Sequence, residues 1–376
     1  MIFPFAAALA FTLATLLPVC LASLVLLLWK RPQRRFWRIS LWLHAALFVL
    51  HLVVTFPLTL GLLSSRVFVR TRPDESRYEG PRLGADGKLL LQSRDSLKGE
   101  TKEGPAVGAE ILAAARARAR TIPSSQGVVL RAFRIEPLRE PPVAAVVLVH
   151  GLFRGAMELE PVAAMLRQQG CECWLLELRN HGGSSRAPFT GGLHESDDVV
   201  AAVEYVRAQP GRADTPVILY GISLGTAAVS LALPRLQRIA GVVLDSPIDD
   251  LHAAAHRMLS FNRGGDGRSW FAMVEPWRSL VLAALGAWSG FDVKDVSPGE
   301  VLANLPHDLP MLVVGAGKDD RAPPATVEQL FARLPMPDDK KELWIEAGAR
   351  HGEVFAHAPA AYAEALARLV ARLRHP

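Results

Sequence analysis

The stretch Val217–Gly225, which reads VILYGISLG, decides the fold. Its opening apolar run is typical of a strand covered on both faces of a parallel sheet. A Gly-x-Ser-x-Gly pattern between such a strand and a helix is typical of a nucleophile elbow, in which small residues let a strained turn hold the hydroxyl of Ser223 above the sheet. The start of the helix adds backbone N–H groups and the positive end of a dipole beside that hydroxyl. The pattern therefore favours a catalytic Ser223 over a glycine-rich helix start without chemistry.

Strands and helices alternate on both sides of this stretch. Apolar periodicity predicts strands at 127–135, 143–149, 171–178, 217–220, 241–244, 311–314 and 342–345. It predicts helices at 156–169, 197–208, from 223 onward, at 326–334 and at 358–373. Such alternation with short loops is typical of a doubly wound, mostly parallel α/β sheet, and one domain of this class accommodates residues 121–376.

Two further loops carry the partners that a nucleophilic serine requires. The strand at 311–314 runs into a glycine-rich turn with Asp319 and Asp320, and the strand at 342–345 runs into a loop with His351. Because the carboxyl ends of parallel strands meet at one edge of a sheet, we expect these loops to converge on Ser223. His351 would then accept the serine proton, and an aspartate would orient its ring and stabilise the imidazolium.

More than one aspartate can serve as the acid. Asp320 lies next to Asp319 and can exchange roles with it, and Asp245, at the end of the strand at 241–244, is a third candidate. A loop cap or a surface carboxylate is the favoured interpretation of Asp320 and of Asp245.

The segment His150-Gly151-Leu152-Phe153 follows the apolar strand at 143–149. The glycine lets the chain turn so that a following backbone N–H points into the site. Together with the N–H of Leu224, just after the nucleophile, that group would form an oxyanion hole. Leu152 and Phe153 are both candidates for the donor, and we favour Leu152.

These motifs resemble, in order along the chain, those of the α/β-hydrolase superfamily. The branch that they resemble most includes monoacylglycerol lipases and lysophospholipases. The resemblance rests on LVHGLFRG, LELRNHGGSS, LYGISLGTAA, LDSPIDD, GAGKDDRAPP and EAGARHGEVF. It implies that Ser223 is the nucleophile, that His351 is the base, and that Asp319 is the acid, because Pro323 follows Asp319 at the family's spacing. It also implies a serine hydrolase that needs no metal and no organic cofactor.

The expected activity is hydrolysis of carboxylic esters, either small-molecule or lipid-like, through an acyl-enzyme. Hydrolysis of amides or peptides on the same fold is one alternative, since some relatives with similar motifs are peptidases. A membrane-tethered binding protein on a hydrolase scaffold is the other. The full set of nucleophile, acid, base and His150-Gly151 loop argues against this last alternative.

An insertion at about 248–298 interrupts the alternation of strands and helices. It is rich in aromatic side chains, and we expect it to form a lid over the nucleophile that favours an acyl chain. The alternative is that these aromatics only pack the insertion onto the domain. The aromatic residues are Trp270, Phe271, Trp277, Trp288 and Phe291.

The N-terminal region contains two long apolar runs, at about 2–29 and 39–63, which predict a transmembrane hairpin within residues 1–65. Residues 66–120 are rich in glycine, proline and charge and are expected to form a juxtamembrane linker. Five basic residues and no acid lie between the two runs, from Lys30 to Arg38, which favours a cytoplasmic loop and an extracytoplasmic catalytic domain. Three arginines just after the second run favour the opposite orientation, but they are fewer: Arg66, Arg70 and Arg72.

The composition excludes several other classes of protein. The chain has 376 residues, of which 50% are hydrophobic and 21% charged, so disorder is excluded for most of its length. Three cysteines do not make a disulfide-framed scaffold, and the Cys and His spacing predicts no metal site. A net charge of +5 is weak evidence for a nucleic-acid partner unless the charges cluster on a folded face, and we expect no such partner. The expected partners are the bilayer and an ester substrate, and the sequence leaves the oligomeric state open.

Overall fold

The structure, a computed structural model, describes most of the chain from residue 34 onward. The described residues are Ala14, Leu17, Cys20, Leu21, Leu24, 34–70, 82–83, 89–90, 101–102, 109–152, 154–259, Glu275 and 277–373.

Eight strands form one sheet, and its topology confirms the predicted mostly parallel arrangement. The strands are β4 (Arg120–Pro123), β5 (Val129–Ile135), β6 (Ala145–Val149), β7 (Glu172–Glu177), β8 (Val217–Ile222), β9 (Ile239–Asp245), β10 (Met311–Ala316) and β11 (Lys341–Glu346). They follow the spatial order β11-β10-β9-β8-β6-β7-β5-β4, with five parallel pairs and two antiparallel pairs at the β5/β4 end. The edge strand β4 was not predicted, because its sequence, RTIP, is short and lacks an apolar run.

Helices cover both faces of this sheet. Those of the α/β region are α3 (Ala109–Ala117), α4 (Glu160–Gln168), α5 (Glu195–Arg207), α6 (Leu224–Ala232), α9 (Pro298–Leu302), α10 (Pro324–Arg333), α11 (Val354–His357) and α12 (Pro359–Arg372). One apolar core lies between the sheet and α3, α4, α11 and α12, and a second lies between the sheet and α5, α6, α9 and α10. Because both faces are covered, β6 and β8 are buried at every position, as their unbroken apolar runs predicted.

The second apolar run of the sequence forms one continuous helix. It consists of α1 (Arg34–Leu50), a π-helical turn at His51–Thr55, and α2 (Phe56–Arg70). The π turn lies just before Pro57, which lacks an N–H and would clash with the carbonyl four residues earlier in an α-helix. Within it, the 23 residues Leu41–Leu63 are long and apolar enough to cross a membrane.

The hairpin prediction is therefore supported only in part. Among the described residues, Leu41–Leu63 is the one helix that is long and apolar enough to span a bilayer. The first apolar run, 2–29, lies almost entirely outside the described residues. Between the helix and the sheet, the linker region contains the short antiparallel strands β1 (Arg82–Leu83), β2 (Leu89–Leu90) and β3 (Thr101–Lys102).

The insertion between β9 and β10 contains two longer helices, α7 (Leu251–Leu259) and α8 (Trp277–Ser289). Helix α8 packs against α2 and forms a third apolar cluster, separate from the two cores of the sheet. Trp277 contacts the ring of Phe56 in α2. For this aromatic residue, the structure agrees with the alternative that the side chains pack the insertion onto the rest of the protein. Of the other aromatics of the insertion, Trp270 and Phe271 lie outside the described residues.

Candidate active site

Ser223 lies in a tight turn between β8 and α6. Its backbone has φ 53° and ψ −118°, a conformation that is costly for a residue with a side chain. The glycines on either side are required by close packing: a Cβ on Gly221 would lie 2.5 Å from the carbonyl oxygen of Gly225, and one on Gly225 would collide with the backbone of Val149. The strained turn raises the serine side chain above the sheet edge, as the Gly-x-Ser-x-Gly pattern predicted.

The loops after β10 and β11 bring an aspartate and a histidine to this serine. His351 Nε2 lies 2.7 Å from Ser223 Oγ, and His351 Nδ1 lies 2.7 Å from Asp319 Oδ2. With the proton on Nδ1, the imidazole donates to the carboxylate and leaves Nε2 free to accept the serine proton. The structure thus joins the three residues that the sequence predicted as nucleophile, base and acid.

Asp319 and Asp320 occupy different environments although they are adjacent. The carboxylate of Asp319 is buried, and its Oδ1 accepts hydrogen bonds from the backbone N–H groups of Arg321 (2.8 Å) and Ala322 (2.9 Å). These donors hold the second oxygen toward His351. Asp320 is exposed to solvent, in agreement with its interpretation as a surface carboxylate.

The loop expected to form the oxyanion hole lies against Ser223. A Cβ on Gly151 would lie 3.4 Å from Ser223 Cβ, so the glycine allows the loop to approach. Leu224 is the first residue of α6, where backbone N–H groups have no partner within the helix. Leu152 follows Gly151 and is half-buried, while Phe153, the alternative donor, lies outside the described residues.

Two buried histidines, His150 and His181, lie beside this loop with their rings in contact. His150 Nε2 accepts a hydrogen bond from the N–H of Leu178 (3.2 Å), and its Nδ1 donates to the carbonyl oxygen of Gly151 (2.7 Å). Burial, and then the neighbouring His181, lowers the pKa of His150 to about 3; burial lowers the pKa of His181 to about 4. Both rings are therefore neutral near pH 7, and His150 is a fixed support for the loop rather than a proton carrier.

Glu158 is a second group beside the loop, and sequence reasoning missed it. Its Oε1 accepts from the N–H of Gly151 at 3.4 Å, and Arg154 Nε lies 3.4 Å from its other oxygen. Burial raises the pKa of Glu158 to about 7, despite the opposing effect of Arg154. No motif marks this position, because the residue approaches the site only through the turn at 156–159.

Asp245 is neither a loop cap nor a surface carboxylate, so that interpretation was wrong. The residue is fully buried at the end of β9, between the strands that precede Ser223 and Asp319. Its side chain accepts hydrogen bonds from the hydroxyls of Tyr362 (2.7 Å) and Ser246 (2.9 Å). Burial raises the pKa of Asp245 to about 6.

Hydrogen bonds link Asp245 and Ser246 to the segments of two of the three site residues, Ser223 and His351. The N–H of Ser223 donates to the carbonyl oxygen of Asp245 (2.9 Å). The N–H of Gly352, the residue after His351, donates to Ser246 Oγ (3.0 Å). One strand end therefore holds both the turn of Ser223 and the loop of His351.

Solved structures with the same fold include several esterases. An esterase from Pyrococcus furiosus superposes with a TM-score of 0.54 at 18% identity, over 68% of this chain and 91% of that chain. DcsB, solved with a substrate analogue, gives 0.54 at 17% identity, over 68% and 99%. Est1E from Butyrivibrio proteoclasticus, solved with ferulic acid, gives 0.50 at 17% identity, over 69% and 100%. At these identities the likeness shows the fold.

The family is shown by a match of the sequence itself. Residues 146–365 match the model of the alpha/beta hydrolase family. This range is more than half of the 376 residues and contains the serine elbow, both partner loops and the Gly151 loop. The chain belongs to the alpha/beta hydrolase family.

Proposed function

We propose that the protein is a membrane-anchored serine hydrolase that cleaves carboxylic esters of lipid-like substrates. The observation that carries the proposal is the continuous contact from Ser223 Oγ through His351 to Asp319, with both distances at 2.7 Å. These are hydrogen-bond distances, and they join a nucleophile, a base and a group that orients the base.

In the proposed acylation step, Ser223 Oγ attacks the ester carbonyl carbon while its proton passes to His351 Nε2. Asp319 stabilises the imidazolium that forms. The backbone N–H groups of Leu224 and Leu152 would donate to the developing oxyanion. The tetrahedral intermediate then collapses, the C–O bond to the alcohol breaks, and the imidazolium returns its proton to the leaving alkoxide.

The second half of the cycle removes the acyl group. His351 takes a proton from water, and the resulting hydroxide attacks the carbonyl carbon of the acyl-enzyme. Collapse of the second intermediate releases the carboxylic acid, and the proton returns to Ser223 Oγ. The cycle requires neither a metal nor an organic cofactor.

A fluorophosphonate probe tests the proposed nucleophile, because it reacts covalently with an activated serine. Labelling of the wild type is expected, whereas Ser223→Ala is expected not to react. Ser223→Ala and His351→Ala are each expected to lose nearly all ester hydrolysis while keeping the far-UV circular dichroism of the wild type, because members of such a triad act as one unit. A folded Ser223→Ala variant that still hydrolyses esters would remove the proposal, and lack of labelling in the wild type would favour the binding-protein alternative.

An apolar substrate is supported by the resemblance to monoacylglycerol lipases. The apolar span Leu41–Leu63 supports anchoring in a bilayer. Turnover on esters of increasing acyl length, beside a peptide amide, separates the alternatives. We expect kcat/KM to rise with acyl length and the amide to be a poor substrate; faster cleavage of the amide would reassign the enzyme as a peptidase or amidase.

The proposed catalytic domain lies on the extracytoplasmic side of the membrane. The five basic residues between Lys30 and Arg38 support this orientation, since short basic loops stay in the cytoplasm. Alkaline phosphatase fused after Pro376 is then expected to be active. An inactive phosphatase fusion beside a fluorescent protein fusion at the same position would reverse the orientation.

A further inference from the structure

The contact between α2 and α8 ties the apolar span to the insertion. The rings of Phe56 and Trp277 lie 6.2 Å apart between their centroids. Gly61 lies so close to α8 that a Cβ would come within 2.5 Å of Ala284 Cβ and 2.9 Å of the Val281 carbonyl oxygen. A small residue at this position allows the two backbones to approach, as in closely packed membrane helices. Both helices also run in the same direction, because Phe56 faces the start of α8 and Gly61 faces its middle.

The part of the apolar helix that precedes its contact with α8 exposes an apolar surface. Large apolar side chains are exposed along it from Ile39 to Leu58, and burial against α8 begins at Phe56 and Leu60. This exposed part, from Ile39 to Leu58, is about 30 Å long at ~1.5 Å per residue, which matches the roughly 30 Å thickness of the hydrocarbon core. Among the described residues, the contacts of α8 with this helix begin at Phe56, so α8 meets the helix where its exposed part ends, near one bilayer surface.

The start of α8 has the chemistry of a membrane interface. Trp277 is of the residue type enriched at headgroup level. Glu275 pairs with His256 (2.5 Å) and with Arg278 (3.3 Å) beside it, and such charges are costly in hydrocarbon. These groups therefore place the start of α8 at headgroup level.

The insertion and the candidate active site occupy the same edge of the sheet. The insertion begins just after β9, at the carboxyl edge where Ser223 and Asp319 lie. Its first helix, α7, contacts the loop after β10 that carries Asp319, since Arg257 Nε donates to the carbonyl oxygen of Arg321 at 3.1 Å. The amino ends of the strands, beside Asp214 in the loop before β8, lie at the opposite edge.

On the membrane anchoring proposed above, we infer that α8 lies at the bilayer surface and turns the active-site edge of the sheet toward the membrane. The surface formed by α8 and the end of the span Leu41–Leu63 thus has a lipid leaflet as its partner. An ester that resides in this leaflet reaches Ser223 at the membrane surface, without its apolar chain passing through bulk water. The substrate class that this arrangement favours is a membrane-resident ester with at least one long alkyl or acyl chain.

Energy transfer to lipid-borne acceptors tests the orientation in the full-length protein reconstituted in vesicles. In a Cys20→Ser background, a donor is attached at Ala283→Cys on the exposed side of α8 or at Asp214→Cys on the opposite edge. The two remaining cysteines are buried. Transfer is expected to be clearly stronger from position 283 than from position 214, and equal or reversed transfer would overturn the inference. A donor at Leu50→Cys reports insertion separately: no transfer there would overturn both the anchoring and the inference, whereas transfer at position 50 with none at 283 would overturn the inference alone.

Gly61→Val tests the contact itself, because the added side chain meets the backbone of α8. Ala46→Val places a valine on the same helix at an exposed position, and serves as the matched control. Gly61→Val is expected to abolish the difference in transfer between positions 283 and 214 and to lower hydrolysis of a vesicle-borne ester several-fold relative to a water-soluble ester. Ala46→Val is expected to change neither. A Gly61→Val protein with unchanged transfer and an unchanged ratio of the two activities would show that the contact does not orient the domain.

Discussion

Asp319 and Asp245 belong to neighbouring strand ends, yet their surroundings are opposite in kind. Asp319 lies in a turn whose backbone N–H groups donate to one oxygen, while the second oxygen faces His351. Asp245 is the last residue of β9 and does not lie in a turn of this kind. The hydroxyls of Tyr362 and Ser246 donate hydrogen bonds to its carboxylate oxygens. Backbone donors stabilise a charged carboxylate, whereas burial beneath the site favours the neutral form and raises the pKa of Asp245. The comparison indicates that Asp319 orients the histidine and that Asp245 supports the loops around it.

The largest expected effect separates these roles directly. Asp319→Asn is expected to lower kcat by roughly 10³-fold or more, because the amide favours the wrong tautomer of His351. Steady-state kinetics on a chromogenic ester measures the loss. Asp320→Asn is the matched control, since its side chain is exposed, and it is expected to match the wild type. If Asp320→Asn or Asp245→Asn were the more impaired variant, the acid would have to be reassigned.

Ser246→Ala tests the supporting role of the β9 end. The substitution removes the acceptor of the Gly352 N–H next to His351, and an unpaired N–H of this kind costs about 1–3 kcal/mol. We expect about a tenfold lower kcat, equivalent to ~1.4 kcal/mol, with KM unchanged. Ser230→Ala is the control, because Ser230 is also buried and hydrogen-bonded but lies away from the histidine loop. Equal kinetics in the two variants would restrict Ser246 to a structural role.

Asp245→Asn is expected to change the pH dependence of stability. Folding raises the pKa of Asp245 from 3.8 to about 6, so the protonated carboxyl favours the folded state. This contribution to the unfolding free energy is complete below pH 4 and is lost as the pH rises through 6. The asparagine variant lacks this loss, so its unfolding free energy relative to the wild type should increase by up to about 3 kcal/mol between pH 4 and pH 8. Denaturant titrations at both pH values measure the difference. A constant difference would contradict the raised pKa, and Asp320→Asn again provides the exposed control.

Glu158→Gln is expected to have the smallest effect on kcat/KM. It tests the loop of Gly151, which lies against Ser223. Above the pKa of about 7, the Glu158 carboxylate places a negative charge beside the Gly151 amide, next to the proposed oxyanion donor. This charge opposes an oxyanion, so kcat/KM of the variant should exceed that of the wild type above pH 7 and equal it below. Parallel pH–rate profiles would contradict this role. Glu136→Gln, at an exposed position, is the control.

Much of the α/β region, including the candidate site, could be predicted from the sequence, because its signals are local. The elbow at Ser223 is a strand, a strained turn and a helix start within a few residues. The loops of Asp319 and His351 each follow a strand of the same parallel sheet, and parallel strands bring their carboxyl ends to one edge. Strand boundaries were predicted less well, and β4 was missed, because a short edge strand has little apolar periodicity.

The tertiary structure alone decided which carboxylates are buried and what the apolar helix touches. Asp245 and Asp320 both follow apolar strands in the sequence, and only the packing of α12, which brings Tyr362 to Asp245, distinguishes them. Likewise, the apolar run at 39–63 predicts a membrane span from composition, but composition does not show that α8 covers its end at Gly61. Hydropathy and periodicity describe one segment at a time, whereas burial and pKa depend on groups that are distant in the chain and meet only after folding.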